Sequence, residues 1–325
     1  MSLIEDISFN TFDLLTTLLD KSSVERQRYR ALYKKGMNEE AEALLLGEVD
    51  EKISLLKFPL SQMDNGISNA TAQWTGQTND NICNIAVAGG SENLAVKAFD
   101  YALIYKQAFL TAESLMRAQL LNSENEQVKA KFNELQDLRT IMQQHSEAGL
   151  STNDLAGQIT QLEAQLVEDS KMYGDFTASI NLKWTDIRER LKPEDIVIEF
   201  VSYTSFEDDN EHIAALLLRK DWHAPKIVYL FSAEQVPDNC YESVQFSRLC
   251  WEPISHYLNN VVNIYFAPAG ILYNIGIESL MLPDGNGNIS DRYNLFRVSS
   301  SRELVKHENS IDDRKGDAVI YGGII

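Results

Sequence analysis

The chain has 325 residues, 44% of them apolar, and a formal net charge of −19. That length predicts two domains with sizeable cores, and no apolar run approaches a membrane span. A surface this acidic repels nucleic acid and anionic membranes, which are bound through Lys and Arg neutralising phosphate, so its charge serves solubility or attraction to a basic partner.

The opening MSLIEDISFNTFDLL has no basic flank before an apolar core, so no signal peptide is visible. Cys83, Cys240 and Cys250 cannot all pair within one chain, and none has metal-ligand spacing. Such cysteine usage favours a reducing compartment, and a cytoplasmic location is expected.

The first half, residues 1–182, reads as a helical bundle. Ser22 and Ser23 ahead of Glu25 form a helix N-cap signal. Met37 to Ser54 is rich in Ala, Leu and Glu, and Leu45, Val49, Ile53 and Leu56 share a face at helical spacing. The stretch DNGISNATAQWTGQTNDN, Asp64 to Asn81, is polar, Asn-rich and punctuated by Gly, which predicts a surface loop. Gly89-Gly90-Ser91 then starts a helix from Leu94 to about Leu121, apolar on most sides and so central in its bundle. Val128, Phe132, Leu135 and Leu138, followed by Leu155, Ile159, Leu162 and Leu166, predict an antiparallel helical hairpin.

Composition changes near Trp184, and residues 183–325 read as an α/β domain with a mixed sheet. Trp184, Ile187 and Leu191 share a helical face that ends at Pro193. Ile196 to Tyr203 is continuously apolar or β-branched for most of its length apart from Glu199, as a strand buried on both faces requires. His212–Arg219 and Lys226–Phe231 are joined by the turn KDWHAP and suit a hairpin or meander. A short helix from Pro253 to about Leu258 precedes a strand over Asn263–Ala267. After it come a Pro-x-Gly turn, a short helix and two more strand signals, the last in DAVIYGGII. The fold class is thus α+β: a helical bundle, then an α/β domain with a mixed sheet.

These residues carry a resemblance. WTDIRERLKPEDIVIEFVSY is similar to the opening of a CHAT domain, the caspase-like module commonly attached to TPR repeats. FAPAGILYNIGIESL, through Pro268, Gly270, Leu272, Ile275, Glu278 and Leu280, resembles its P-D-G-x-L…P-F-E-x-L segment. RVSSSREL (Arg297 to Leu304) resembles the strand-plus-Ser/Arg segment that follows, and AVIYGGI the next strand in bacterial TPR-CHAT proteins. KSSVERQRY, AFDYALIYKQAFLTAE and LEAQLVEDSKMYGDF resemble the helices linking the repeats to the CHAT domain, so the similarity runs from about Asp20 onward. Ala269 stands where the family has Asp, and Gly276 where it often has Pro.

CHAT proteases resemble caspases, gingipains and separase, in which a Cys thiolate attacks a peptide carbonyl with acid-base help from a His. In the family both residues follow the last strand matched here, in a His-Gly and then an Ala-Cys motif, and neither motif is present. The resemblance therefore implies the pseudoprotease half, from about Pro193 to Ile325, of a cysteine protease whose catalytic half lies C-terminal to Ile325. It implies protein partners (a TPR region, the catalytic CHAT half and a regulatory protein), with no nucleic acid and no membrane. The alternative is a stand-alone interaction scaffold without peptidase activity, and a third reading is an α/β enzyme of another kind, such as one that binds nucleotide.

No residue is assigned a catalytic, cofactor-binding or metal role. A Cys-His dyad needs thiolate and imidazole within hydrogen-bond reach. His223 with Cys240, His212 with Cys250, and Cys250 with His256 are the candidate pairs, and core cysteines with surface histidines are the simpler reading. Asp284-Gly-Asn-Gly-Asn288 lacks the Gly at position six and the Glu at position twelve of a calcium loop, having Ile289 and Leu295 there, and reads as a hairpin turn. Gly89-Gly90 and Gly322-Gly323 lack the further Gly and Lys of a phosphate cradle and read as backbone turns. Glu39, Glu40 and Glu42 read as a solvated helix face.

Overall fold

The structure, a computed structural model, describes residues 11–62, 69–109, 125–147, 150–170 and 181–306. The AVIYGGII strand signal, Gly322-Gly323 and the last part of the helix expected to reach Leu121 lie outside them. Among the described residues six helices come first: α1 (Thr11–Lys34), α2 (Asn38–Gln62), α3 (Asn69–Val87), α4 (Glu92–Phe109), α5 (Glu126–Glu147) and α6 (Asn153–Asp169). A short α7 (Trp184–Arg190) leads into strands β1 (Asp195–Thr204), β2 (Glu211–Arg219) and β3 (Lys226–Ser232). Then follow α8 (Val244–Trp251), a 3-10 segment (Glu252–Leu258), β4 (Asn263–Ala267), 3-10 turns, α9 (Ile289–Arg292), β5 (Asn294–Arg297) and α10 (Glu303–Lys306). The molecule is α+β, with a helical region ahead of a five-stranded mixed sheet. No described helix is long and apolar enough to cross a membrane.

Strand order is β3-β2-β1-β4-β5, with β1, β2 and β3 antiparallel and β1, β4 and β5 parallel. Both faces of the sheet are covered. Val197, Val201 and Tyr203 of β1 share a core with Tyr29, Leu45, Ile82, Phe99 and Leu103 of the helices. Ile196, Ile198 and Phe200 point the other way, onto Phe246, Trp251, Ile254 and Leu272. Double coverage explains the near-continuous apolar run in β1 and the fully buried Ile213–Leu218 of β2. Thus the sheet is the middle of three layers, with the N-terminal helices as one outer layer.

The expected hairpin of α5 and α6 forms. Val128, Phe132, Leu135, Ile159, Leu162 and Leu166 are buried, and Lys131 near the start of α5 meets Asp169 at the end of α6 at 2.5 Å, so the pair runs antiparallel. The strands expected from Ile196 to Ala267 also form, with the KDWHAP turn between β2 and β3. Gly89, with φ +105, turns the chain between α3 and α4.

Two expectations fail. Ser22 caps nothing: it lies inside α1 and is buried, because the helix continues through it from Thr11. The more consequential failure is at Asp64–Asn81, where residues from Asn69 onward form α3 rather than a surface loop. Trp74, Thr75, Thr78, Asn79 and Asn81 are all buried.

The cause is the uneven length of neighbouring strands. Parallel pairing of β1 with β4 stops at Glu199 opposite Ala267, yet β1 runs on to Thr204. Backbone groups on that side of the overhang need partners, since an unpaired buried peptide group costs as much as a lost hydrogen bond. Side chains of α3 supply them. Asn79 donates to the Ser202 carbonyl at 2.8 Å, and Asn84 to the Thr204 carbonyl at 2.9 Å. Asp80 accepts from the Thr204 N–H at 2.9 Å, and Asn84 Oδ1 from the Phe206 N–H at 2.8 Å. The polar residues of α3 act as a substitute strand.

Phe200 is buried in the middle of β1, whereas Phe296 on edge strand β5 is 44% exposed. Phe200→Ala should lower unfolding free energy by about 3–5 kcal/mol in urea titrations, and Phe296→Ala by well under that. Equal losses would contradict the assignment of β1 as the centre of the core.

Candidate functional site

Strand order reverses between β1 and β4: the chain builds outward from β1 through β2 and β3, then returns to place β4 and β5 on the other side. In open α/β sheets the crevice at the carboxyl ends of such strands is the usual ligand site. Here Glu199 and Ala267 are the last paired residues at that crevice.

The crevice is filled from within. Lys106 of α4 donates to Glu199 Oε2 at 2.6 Å and to the Ala267 carbonyl at 3.0 Å, tying both strand ends together. Glu199 Oε1 accepts from the Ser300 hydroxyl at 3.0 Å and the Ser301 N–H at 2.5 Å, both just past β5. Arg302 donates to the Leu103 carbonyl of α4 at 3.0 Å. The Glu199 side chain is 0% exposed and that of Lys106 7%. Burial lowers the Lys106 pKa, while the Glu199 charge pulls it back up. Burial likewise brings the Arg302 guanidinium down to about 10, still protonated at neutral pH.

Beside this plug lies an open cleft of about 430 Å³, between α3 and the overhanging end of β1. Gln77, Asp80, Tyr105, Ser202 and Glu211 line it. Burial pushes the Asp80 carboxyl above its ordinary value, against the opposing pull of the Thr204 N–H and of Arg26, which sits at 2.9 Å. Burial and the Asp80 charge raise the Tyr105 phenol to about 12, so it stays neutral. Gly270 holds φ +52, and a Cβ there would stand 2.0 Å from Glu211 Oε1 and 2.8 Å from Ser202 Cβ. The glycine of the PAGIL segment is what lets Glu211 sit at the cleft.

The plug and the cleft differ chemically. The plug is a buried charge network in which Lys106 pairs with Glu199, which suits positioning rather than proton transfer. The cleft is open to solvent, is lined by carboxylates, an amide and a phenol, and can hold a ligand rich in N–H donors.

None of the three Cys-His pairs is joined by a hydrogen bond. His223 is 83% exposed and faces Glu92 at 3.0 Å. His212 contacts Asp208 at 3.1 Å and packs between Tyr203 and Tyr229. His256 packs on Tyr257. Cys240 and Cys250 are buried together in the core opposite the helices, and Cys83 lies inside the helical core. Burial raises the thiols of Cys83 and Cys250 far above the range of a nucleophile. Asp284–Asn288 forms a turn in which Asp284 accepts from the Asn286 N–H at 2.9 Å, with positive φ at Gly285 and Gly287.

Sequence reasoning noticed Glu199 as the one charge in a buried strand and RVSSSREL as a motif, but did not join them. A charge in such a strand demands a partner, yet Lys106 lies 93 residues away. The cleft has no signal in the sequence because α3, which forms one wall, has the polar composition of a loop.

Lys106→Met leaves Glu199 buried without its cation, and should destabilise the fold by about 3–5 kcal/mol in chemical denaturation. Lys106→Met with Glu199→Leu removes both charges and should recover much of that loss. A double variant no more stable than the single one would mean that the two groups do not act as a pair.

Comparison with protein-family models gives no match for this chain, and comparison with curated proteins gives none.

Proposed function

We propose that this chain is the non-catalytic portion of a CHAT-type, caspase-like cysteine protease, supporting a catalytic half C-terminal to Ile325. The carrying observation is the plug at the strand switch point. Lys106 of the helical region and Ser300–Ser301 after β5 meet on one carboxylate of β1. A position that elsewhere receives a ligand is here spent on holding helices, sheet and the segment past β5 in one arrangement. Such a connection suits a supporting module that transmits partner binding on its helices toward whatever follows its last strand.

The burial of all three cysteines, which raises the thiols of Cys83 and Cys250, supports the same reading. The filled crevice also argues against the nucleotide-binding alternative, whose phosphates would need that space.

The chain alone should not cleave peptide reporters, and the codons following Ile325 should encode a His-Gly and then an Ala-Cys motif. Cysteine-dependent cleavage by the chain alone would overturn the non-catalytic role. Cleavage that survives Cys83→Ser, Cys240→Ser and Cys250→Ser together would overturn the protease lineage as well. A stop codon directly after Ile325 would leave the stand-alone scaffold in its place.

A further inference from the structure

We propose that the cleft between α3 and the end of β1 is a docking site for a basic side chain of a partner protein, an arginine guanidinium. The cleft has acceptors in excess of donors. Among the described residues the Glu211 carboxylate has no ion-pair or hydrogen-bond partner. Gln77 Oε1 is buried with no hydrogen-bond partner. Asp80 adds a second carboxylate, and no Lys, Arg or His lines the cavity. A buried acceptor left unpaired is costly, and a donor-rich ligand relieves that cost.

Shape and charge narrow the occupant. About 430 Å³ falls within the range of small-ligand sites and admits a whole long side chain. Gly76 of α3 leaves the space open, since a Cβ there would reach only to 3.9 Å from the Tyr105 hydroxyl. The acceptors come from α3 on one wall and β2 on the other, so a flat group with donors on several edges meets more of them than a point charge does. Guanidinium carries five N–H donors in one plane and is more weakly hydrated than ammonium. A net charge of −19 steers a basic protein surface toward the chain before the side chain enters. Such docking holds whether the chain supports a catalytic half or stands alone, so its failure would leave the function proposed above untouched.

Fluorescence anisotropy of a labelled Gly-Arg-Gly amide, titrated with the full chain at low salt, tests this. Saturable binding is expected, weakened at least about tenfold when citrulline or lysine replaces arginine. Glu211→Gln, at an exposed strand start, should weaken it about tenfold, an effect of one charge-assisted hydrogen bond. Gly76→Gln, which fills the cleft and removes no charge, should abolish it. Glu126→Gln on α5 takes away the same unit of charge outside the cleft and should leave binding unchanged, with circular dichroism confirming that each variant is folded. Equal affinity for arginine and citrulline, or insensitivity to both cleft variants, would overturn the site. Equal affinity for lysine would overturn the guanidinium assignment, and equal loss in Glu126→Gln would reduce the effect to net charge. Binding of spermidine without the arginine peptide would overturn a protein partner in favour of a free polyamine.

Discussion

The mismatch in length between β1 and β4 is the constraint on which the rest of the molecule turns. Where β4 ends at Ala267, β1 continues to Thr204 with backbone groups that would otherwise face a water-poor interior. Two solutions are used side by side. At the junction itself, Lys106 takes the Ala267 carbonyl and the Glu199 carboxylate. Farther along, Asn79, Asp80 and Asn84 of α3 take the groups of Ser202 and Thr204. Both solutions come from the helical region, so the sheet cannot be completed without it. α1 extends the same logic to the turn after β1, where Arg30 holds the Phe206 carbonyl at 2.9 Å and the Asp209 carboxylate at 2.8 and 2.7 Å.

What could be read in the sequence follows from this division of labour. Strands buried on both faces announce themselves by composition, and so did β1, β2 and β4. The α5–α6 hairpin announced itself by its apolar stripes. α3 did not, because its asparagines and threonines serve a neighbouring backbone rather than solvent, and a polar helix face of that kind has the composition of a loop. Ser22 misled for a related reason: a cap residue is recognised by what precedes it, and Thr11 to Lys21 was already helix. The plug was half legible. Glu199 is conspicuous in its strand, but nothing local says that its counter-charge sits on α4 or that Ser300 and Ser301 close its other oxygen.

Energetically the plug is better understood as a specificity device than as a source of stability. Desolvating a carboxylate and an ammonium cancels most of their attraction, and apolar replacements of both are often neutral or better. What the pair contributes is intolerance of alternatives. Moving α4 along the sheet leaves a fully buried Glu199 without its cation, and lifting Ser300–Ser301 away leaves one of its oxygens without donors. Helices, sheet centre and the chain past β5 are thereby held to one relative placement, which hydrophobic contacts alone would specify less sharply.

The cleft inherits its properties from the same arrangement. Asp80 already serves two partners, the Thr204 N–H at the end of β1 and Arg26 of α1. A cation entering beside it competes with Arg26 for one carboxylate, and Arg26 also lies over the Phe206 ring, 5.3 Å from its centroid. Occupancy of the cleft therefore acts on the contact between α1 and the β1–β2 turn as well as on the ligand's own acceptors. Because α3 supplies both the strand substitute and one wall of the cleft, a ligand cannot shift that wall without disturbing the hydrogen bonds that finish β1. The acidic cleft and the buried plug are adjacent consequences of one overhanging strand, one left open to solvent and the other closed by a lysine.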